Sequence, residues 1–454
     1  GLGRGDIEIY GTLSADLAAN ANDFESVFTG TGTFSVTSGS AKITSDISSF
    51  TGDGTKLGGR FVLGNGTAIS VQSAEQKVAL DVSGTDTGTG TFSFTGKGTQ
   101  RTQVSFTNAA FNGTAEFTNT QILGSAYAAS GSTLVLKDGS AYTADAKDLS
   151  LAGLTVDGSK LAFSSSAVPG TTETENLLKV NGALEFKANS TVDVASGIIQ
   201  KLTLEKGQGN LLEQDDNAEH AITLATASGG VINVENAKLT VDRTEVTGGE
   251  QTFKIGADPN NIDAIGTYGY KLSDANNKLA VTYGLKALEV TEGRSITLGQ
   301  YGDGDSKLDA KISGLGGITI DTIMDVGLTN SKNSYEGATN VVKGNLSVGA
   351  GALGHTDSLN ANENSVVMIV GDQVGVKSLN VQGELKIISG TFTVNEKECI
   401  TNTVSRLTTQ VSEALSGSGS LTLTGKGSDV SGTNEGFSGA VTLGSDSTTT
   451  IHDA

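Results

Sequence analysis

Serine-based catalysis needs a hydroxyl, an imidazole base and an orienting carboxylate within reach of one another, so the 3 histidines of the chain, His220, His355 and His452, are the first residues of interest. Each stands in a polar, loop-like context with no neighbouring constellation. Gly304-Asp305-Ser306 is the one Gly-Asp-Ser, and Lys307 follows it where the serine-protease pattern has glycine. With a single cysteine, Cys399, the histidines also leave no zinc-ligand spacing. Paired carboxylates could serve polysaccharide cleavage, and Asp215-Asp216 and Asp303 with Asp305 are the best pairs. Among 50 acidic residues, however, such pairs are expected on solvated turns, and no loop has the ligand period of a calcium-binding repeat. The expectation is a protein that is not an enzyme and carries no cofactor or metal. Arg4-Gly5-Asp6 spells an integrin-binding tripeptide close to the first residue.

The lysines carry a pattern of their own. Lys97 follows the strand-like Thr91–Phe94, Lys137 follows Leu134–Leu136, Lys187 follows Leu184–Phe186, Lys206 follows Leu202–Leu204, and Lys426 follows Leu421–Leu423. If successive strands stack, Lys137, Lys187 and Lys206 share a corner, with Lys160, Asp138 and Asn189 beside them. Those six residues form the candidate ligand-binding set, a ladder able to grip an extended anionic or hydroxylated polymer. The competing reading makes strand-end lysines gatekeepers against edge aggregation.

The elements that must position these groups are short alternating strands, such as Thr33-Phe34-Ser35-Val36 and Thr133-Leu134-Val135-Leu136, each followed by Gly, Asn, Asp or Ser. Phrases recur: Thr-Gly-Thr-Gly-Thr-Phe at 29–34 and 87–92, and Thr-Gly-Lys-Gly at 95–98 and 424–427. The chain has 62 glycines against 2 prolines and no tryptophan, which removes collagen and argues against tandem sandwiches joined by proline-rich linkers. A parallel β-solenoid fits, with Gly and Asn supplying left-handed corners and Thr, Ser and Val stacking in columns. At roughly 20 to 25 residues per coil, this predicts about 20 coils and a rod on the order of 100 Å. Loops are expected to leave the rod at Ser166–Asn176, Gln208–Ala221, Asp258–Asp263 and Tyr301–Asp309. Leu13–Phe28 is read as a cap over the first coil. Ile400, Val404, Leu407, Val411 and Leu415 fall at helical spacing and predict one short flanking helix.

Charge narrows the partners. The balance of 30 basic and 50 acidic residues gives a net charge of −20, and no basic run with interleaved aromatics exists, so nucleic acid is excluded as a partner. The longest apolar run, Val366–Val370, is far shorter than a membrane helix. The start shows no signal-peptide pattern, and the expectation is a chain that begins after processing or cloning.

Residues 327–354, with Tyr335-Glu336-Gly337-Ala338-Thr339 and the following Leu346-Ser347-Val348-Gly349, resemble the passenger-associated repeat of bacterial autotransporters. Phe437-Ser438-Gly439-Ala440 repeats the phrase, and the stretch from about 268 to 454 is similar to AIDA-type passengers, while the first 267 residues match in texture alone. The resemblance implies a right-handed parallel β-helix, a cap and first coil over 1–30, and a continuous passenger over 31–454, truncated before a C-terminal barrel. It implies a secreted rod displayed at the bacterial cell surface, anchored in the outer membrane by that barrel, and serving as an adhesin. The expected partners are host glycans of glycosaminoglycan type or extracellular-matrix proteins such as fibronectin, laminin or collagen. The alternatives are self-association between rods, giving cell aggregation and biofilm, and, less favoured, polysaccharide lyase or hydrolase activity.

Overall fold

The computed structural model describes residues 5–51, 57–85, 90–164, 178–198, 211–215, 220–246, 249–258, 260–299, 307–394, 409–411, 414–423, 426–430, 435–444 and 448–451. Nearly all of the regular structure is β-strand, joined by turns and a few single 3-10 turns. In Thr91–Gly96 the alternation sends Phe92 and Phe94 inward while Thr91 and Ser93 stay half-buried on the outer surface, the pattern of a strand with one covered face.

Pairing is predominantly parallel, and a strand seldom pairs with its neighbour in sequence. Thr91, Thr114, Thr133 and Gly153 lie side by side on four successive pairing partners. A second series interleaves with the first: Gln103, Gln121, Ala141, Lys160, Thr191 and Lys238 are likewise in register. The chain therefore leaves the first series, runs one strand of the second, and returns about twenty residues later. Its corners require left-handed backbone, met by Asn119, Asp138 and Asn189 at φ 49°, 37° and 61°. Antiparallel pairing joins Ala237–Val241 with Thr244–Glu245 and Glu250–Ile255 with Ala264–Ser273, and an isolated antiparallel bridge joins Asp258 with Asn261.

The chain divides into two compact units, one of residues 1–202, 221–246 and 271–282, the other of 203–220, 247–270 and 283–454. In the first unit the core is a column of aromatic edges, with ring centroids 5.1 Å apart for Phe28–Phe34, 5.6 Å for Phe50–Phe61 and 5.4 Å for Phe61–Phe92. The expected cap lies partly inside this arrangement: Thr12–Phe24 is a strand parallel to Thr33–Asp46.

Two expectations are corrected. Val411 and Leu415 belong to strands Thr409–Val411 and Ala414–Gly417, in register with Val381 and Leu385, and not to a helix. Their spacing matched a helix by coincidence, because each continues an apolar column of the sheet; Ile400, Val404 and Leu407 lie outside the described residues. In the expected loop 208–221, Leu211, Leu212, Gln214 and Asp215 are buried. Asp258–Asp263 does connect two strands as a tight turn, in which the Asn260 N–H donates to the Asp258 carboxylate at 2.8 Å. Residues 166–176 and 301–306 lie outside the described set.

The repeated aromatic-x-glycine phrase has a physical explanation. The Tyr335 hydroxyl, fully buried, meets the Thr339 hydroxyl at 2.7 Å; Thr339 meets Thr356 at 3.0 Å; and Thr356 donates to the Gly337 carbonyl at 2.7 Å. This closed chain ties the phrase to the strand that follows. A Cβ on Gly337 would fall on the backbone of Gly316 and Gly317, and one on Gly439 would collide with Gly419. Phe111-Asn112-Gly113-Thr114 is a third instance, since a Cβ on Gly113 would meet Gly90 and stand 2.9 Å from the Phe111 ring.

Candidate functional site

The lysine corner comes together only in part. Thr118, Lys137 and Asp157 are in register on adjacent strands. Phe186 lies opposite Val156 and the Lys187 N–H donates to the Val156 carbonyl at 2.8 Å, so Lys187 follows at the position beside Asp157. The column thus reads Lys137, Asp157, Lys187, alternating in sign where a ladder of cations was expected. Lys137 is further neutralised by Glu116, its Nζ 2.9 Å from Oε2. Lys160 faces the other strand series, beside Ala141 and Thr191. Asp138 and Asn189 are exposed corner residues whose left-handed backbone turns the chain. Lys206 lies outside the described residues. The single-residue shift between Thr118/Lys137 and Gln121/Ala141 decides this geometry, and strand spacing in the sequence does not reveal it.

Behind the corner stands a column of buried hydroxyls, Thr120, Ser140, Ser159 and Ser190. Ser140 Oγ accepts from the Thr120 N–H at 3.1 Å and donates to the Phe117 carbonyl at 2.8 Å, while Ser190 Oγ lies 2.7 Å from the Val156 carbonyl. Ser140 and Ser190 thus tie neighbouring strands together, while Thr120 and Ser159 donate to the carbonyls of Thr118 and Asp157 two residues before them, and all four hydroxyls are buried away from a ligand.

Few of the catalytic candidates fall among the described residues. His355 is exposed, and no group of three or more His, Cys, Asp or Glu side chains able to hold a metal occurs among the described residues. Asp215 is a buried structural acceptor, taking the N–H of Ala310 at 3.1 Å and also that of Asp309. Asp216, Asp303, Asp305 and Ser306 lie outside the described residues, as does Arg4 of the Arg-Gly-Asp tripeptide.

A different constellation emerges in the second unit. Thr297, Thr319, Asn340, Asn360 and Asn380 stand in register, and Gln410, Asp429 and Thr450 continue the column. At about 4.8 Å per strand, eight positions span roughly 34 Å. The residues flanking Asn340, Asn360 and Asn380, such as Leu359 and Ala361 around Asn360, are buried, which turns these amides outward. Asn360 Nδ2 donates to Asn340 Oδ1 at 2.8 Å and lies 3.0 Å from Ser358 Oγ. Ser358 and Ser378 precede the amides on the same face; Val342, Asn362 and Gln382 follow them. The centre of this patch carries no charge, on a chain of net charge −20. Its rim does: Lys377 Nζ lies 2.9 Å from Asp357 Oδ1, the two residues preceding the paired strands Leu379–Val381 and Leu359–Ala361. The sequence signal was present in the triplets Thr339-Asn340-Val341, Leu359-Asn360-Ala361 and Leu379-Asn380-Val381, an amide between two inward residues at a spacing of twenty.

The chain is 30% identical over 275 residues to the uncharacterized lipoprotein YdeK of Escherichia coli K12. The match takes in 54% of this chain and 20% of that protein, so the chain spans about a fifth of the relative's length. Neither a family model nor a solved structure matches.

Proposed function

We propose that the chain is the binding portion of a cell-envelope adhesin, built of parallel β-solenoid, and that it acts by associating with further copies of itself through the amide face of the second unit. The in-register parallel strands, the left-handed corners and the return every twenty residues support the solenoid. The description of the similar Escherichia coli protein as a lipoprotein supports a place in the envelope, and the autotransporter-like phrase at 335–339 supports display at the surface.

One observation carries the function: the uncharged column of Asn340, Asn360 and Asn380 beside a rim pair that is complementary to itself. An asparagine amide is both donor and acceptor, so a column of asparagines can pair with an identical column. Two copies related by a two-fold axis between the strands Leu359–Ala361 and Leu379–Val381 run antiparallel. Asn360 of one copy then faces Asn380 of the other, and Asp357 faces Lys377 of the second copy twice over, as an isologous interface requires. The patch is small beside the roughly 800 Å² per partner of a stable complex. Single contacts are therefore weak, and many displayed copies hold by avidity.

The alternating Lys137, Asp157, Lys187 column weakens the case for an anionic glycan at that corner, and self-association takes first place accordingly. The test is sedimentation over a concentration series with Asp357→Lys, Lys377→Asp and the double exchange. Each single variant should be monomeric, since it sets like charges opposite each other, and the double exchange should associate again. A monomer at every concentration, or failure of the double exchange to restore association after a folding check by circular dichroism, refutes the proposal.

A further inference from the structure

The first unit presents a second regular face, of different chemistry. Its outer residues are Ser70 and Gln72 on Ala68–Ser73, Thr91, Ser93 and Thr95 on Thr91–Gly96, Thr114, Glu116 and Thr118 on Thr114–Thr118, and Thr133, Val135 and Lys137 on Thr133–Lys137. Register is exact across all four strands: Ala68, Thr91, Thr114 and Thr133 form one column, Ser70, Ser93, Glu116 and Val135 a second, and Gln72, Thr95, Thr118 and Lys137 a third. Strands lie about 4.8 Å apart and alternate residues about 6.6 Å apart along each strand, so the hydroxyls occupy a flat rectangular lattice.

These hydroxyls differ from others of the protein in what they bind. Thr37, Thr85, Thr107 and Thr329 each donate to a carbonyl of a neighbouring turn, at 3.1 to 3.4 Å. Ser70, Thr91, Thr95, Thr114, Thr118 and Thr133 have no side-chain hydrogen bond to any described residue. Midway along a strand the parallel ladder consumes the carbonyls, and an outward hydroxyl finds no protein partner. The face is also locally neutral. Glu116 and Lys137 pair at 2.9 Å, and Ser93 donates to the same Glu116 Oε2 at 3.4 Å.

From this lattice we infer a binding site for a neutral polysaccharide, lying across the strands along the Thr91, Thr114 and Thr133 column. Three features select that class. Repeating hydroxyls meet repeating hydroxyls, each able to donate and accept. The threonine methyls and Val135 offer apolar contact to the C–H faces of sugar rings, as in other small-ligand sites that combine apolar contact with placed polar groups. A chain of net charge −20 repels polyanions, and the single lysine here is already paired, so charge complementarity favours an uncharged polymer. The site is independent of the amide face proposed for self-association, and the two can fail separately.

The test uses the whole chain against soluble dextran, β-glucan and mannan and insoluble cellulose and chitin, with heparin as the anionic comparison. Binding to at least one neutral polymer is expected, insensitive to salt between about 0.05 and 0.5 M, a range over which surface ion pairs are progressively screened. The triple variant Thr91→Val, Thr114→Val, Thr133→Val removes three hydroxyls while keeping shape and strand preference, and should bind at least tenfold more weakly. Its sedimentation should match the parent, and Asp357→Lys should leave glycan binding unchanged. No binding to any neutral polymer, salt-sensitive binding to heparin alone, or unaltered affinity of the valine variant overturns the inference.

Discussion

Substitution of Gly337 by alanine tests the packing that places Asn340. The added Cβ would lie 2.6 Å from the Gly316 carbonyl oxygen and closer still to the Gly316 carbonyl carbon and the Gly317 nitrogen. Carbon contacts are comfortable at about 3.5 to 4.0 Å, and all three atoms are backbone, so the adjacent strand must shift by about 1 Å. Three interstrand bonds cluster there: Glu336 N–H to Gly314, Gly337 N–H to Gly316 and Ile318 N–H to the Ala338 carbonyl, at 3.0, 3.0 and 2.9 Å. Overpacking costs about 1–3 kcal/mol, and weakening one or two of these bonds adds about 0.5–1.5 kcal/mol each, a total on the order of 1.5–6 kcal/mol. Gly11 is the control, because no atom lies within 4 Å of the place a Cβ would take there and its φ is not left-handed; alanine at that position should be neutral or stabilise by about 0.4–1 kcal/mol. Urea unfolding followed by circular dichroism should show a lowered midpoint for Gly337→Ala alone, with faster hydrogen exchange along Thr339–Gly349. Equal midpoints for the two variants would refute the account of the aromatic-x-glycine phrase.

Further outcomes follow from polar groups in and around the core. Tyr335→Phe leaves the Thr339–Thr356 pair without its third hydroxyl and should cost about 1 kcal/mol; an unchanged urea midpoint would show that the hydroxyl chain contributes nothing. Burial raises the Asp46 carboxyl, but hydrogen bonds from Ser48, Ala74 and Ser73 outweigh it and hold the group below its ordinary value. Its stabilising contribution is therefore present above the unfolded carboxyl value near pH ~3.9 and is lost as pH falls through the depressed folded value. Asp46→Asn should flatten the acid limb of the stability curve, and an identical limb would count against that pairing. Burial raises Tyr127, Tyr142, Tyr268, Tyr270 and Tyr335. Stability held below the ordinary tyrosine value of about 10 should thus be lost as pH climbs toward the raised values, with tyrosinate absorbance rising together with loss of circular dichroism. Ionisation of all tyrosines near pH ~10 with the fold intact would contradict the burial.

The all-β character was legible because alternation is local: Thr91-Phe92-Ser93-Phe94 and Leu359-Asn360-Ala361 declare their inner and outer faces without help from the rest of the chain. Corners were legible for the same reason, since Asn119, Asp138 and Asn189 favour the left-handed backbone they adopt. Register is not local. One residue more or less at a corner moves a side chain by a full position, so Asp157 came to stand between Lys137 and Lys187, and Lys160 went to the other strand series. The burial of Asp215 was hidden because its partners, the N–H groups of Asp309 and Ala310, are distant in sequence. The helical spacing misled at Val411 and Leu415 for a related reason: β-branched residues suit a strand, and these two each continue a column started on an earlier strand. The amide column was written in triplets twenty residues apart and needed only the register to become a face.

The response to salt separates self-association through a neutral face from a grip by lysines on an anionic polymer. Each copy carries a net charge of −20. Two unit charges about 30 Å apart in water repel by about 0.1 kcal/mol, and the hundreds of like-charge pairs between two copies sum to tens of kcal/mol at very low salt. A Debye length of about 8 Å at 0.15 M reduces this to the order of 1 kcal/mol. The two Asp357–Lys377 contacts of the proposed interface would contribute about 0.2–1 kcal/mol each, so their screening is the smaller effect. Association should therefore strengthen steeply from about 0.01 to 0.15 M salt and then level off. A lysine-held anionic ligand would be released over the same range. Self-association that weakens steadily with added salt would mean that ion pairs, and not the amide column, hold the copies together.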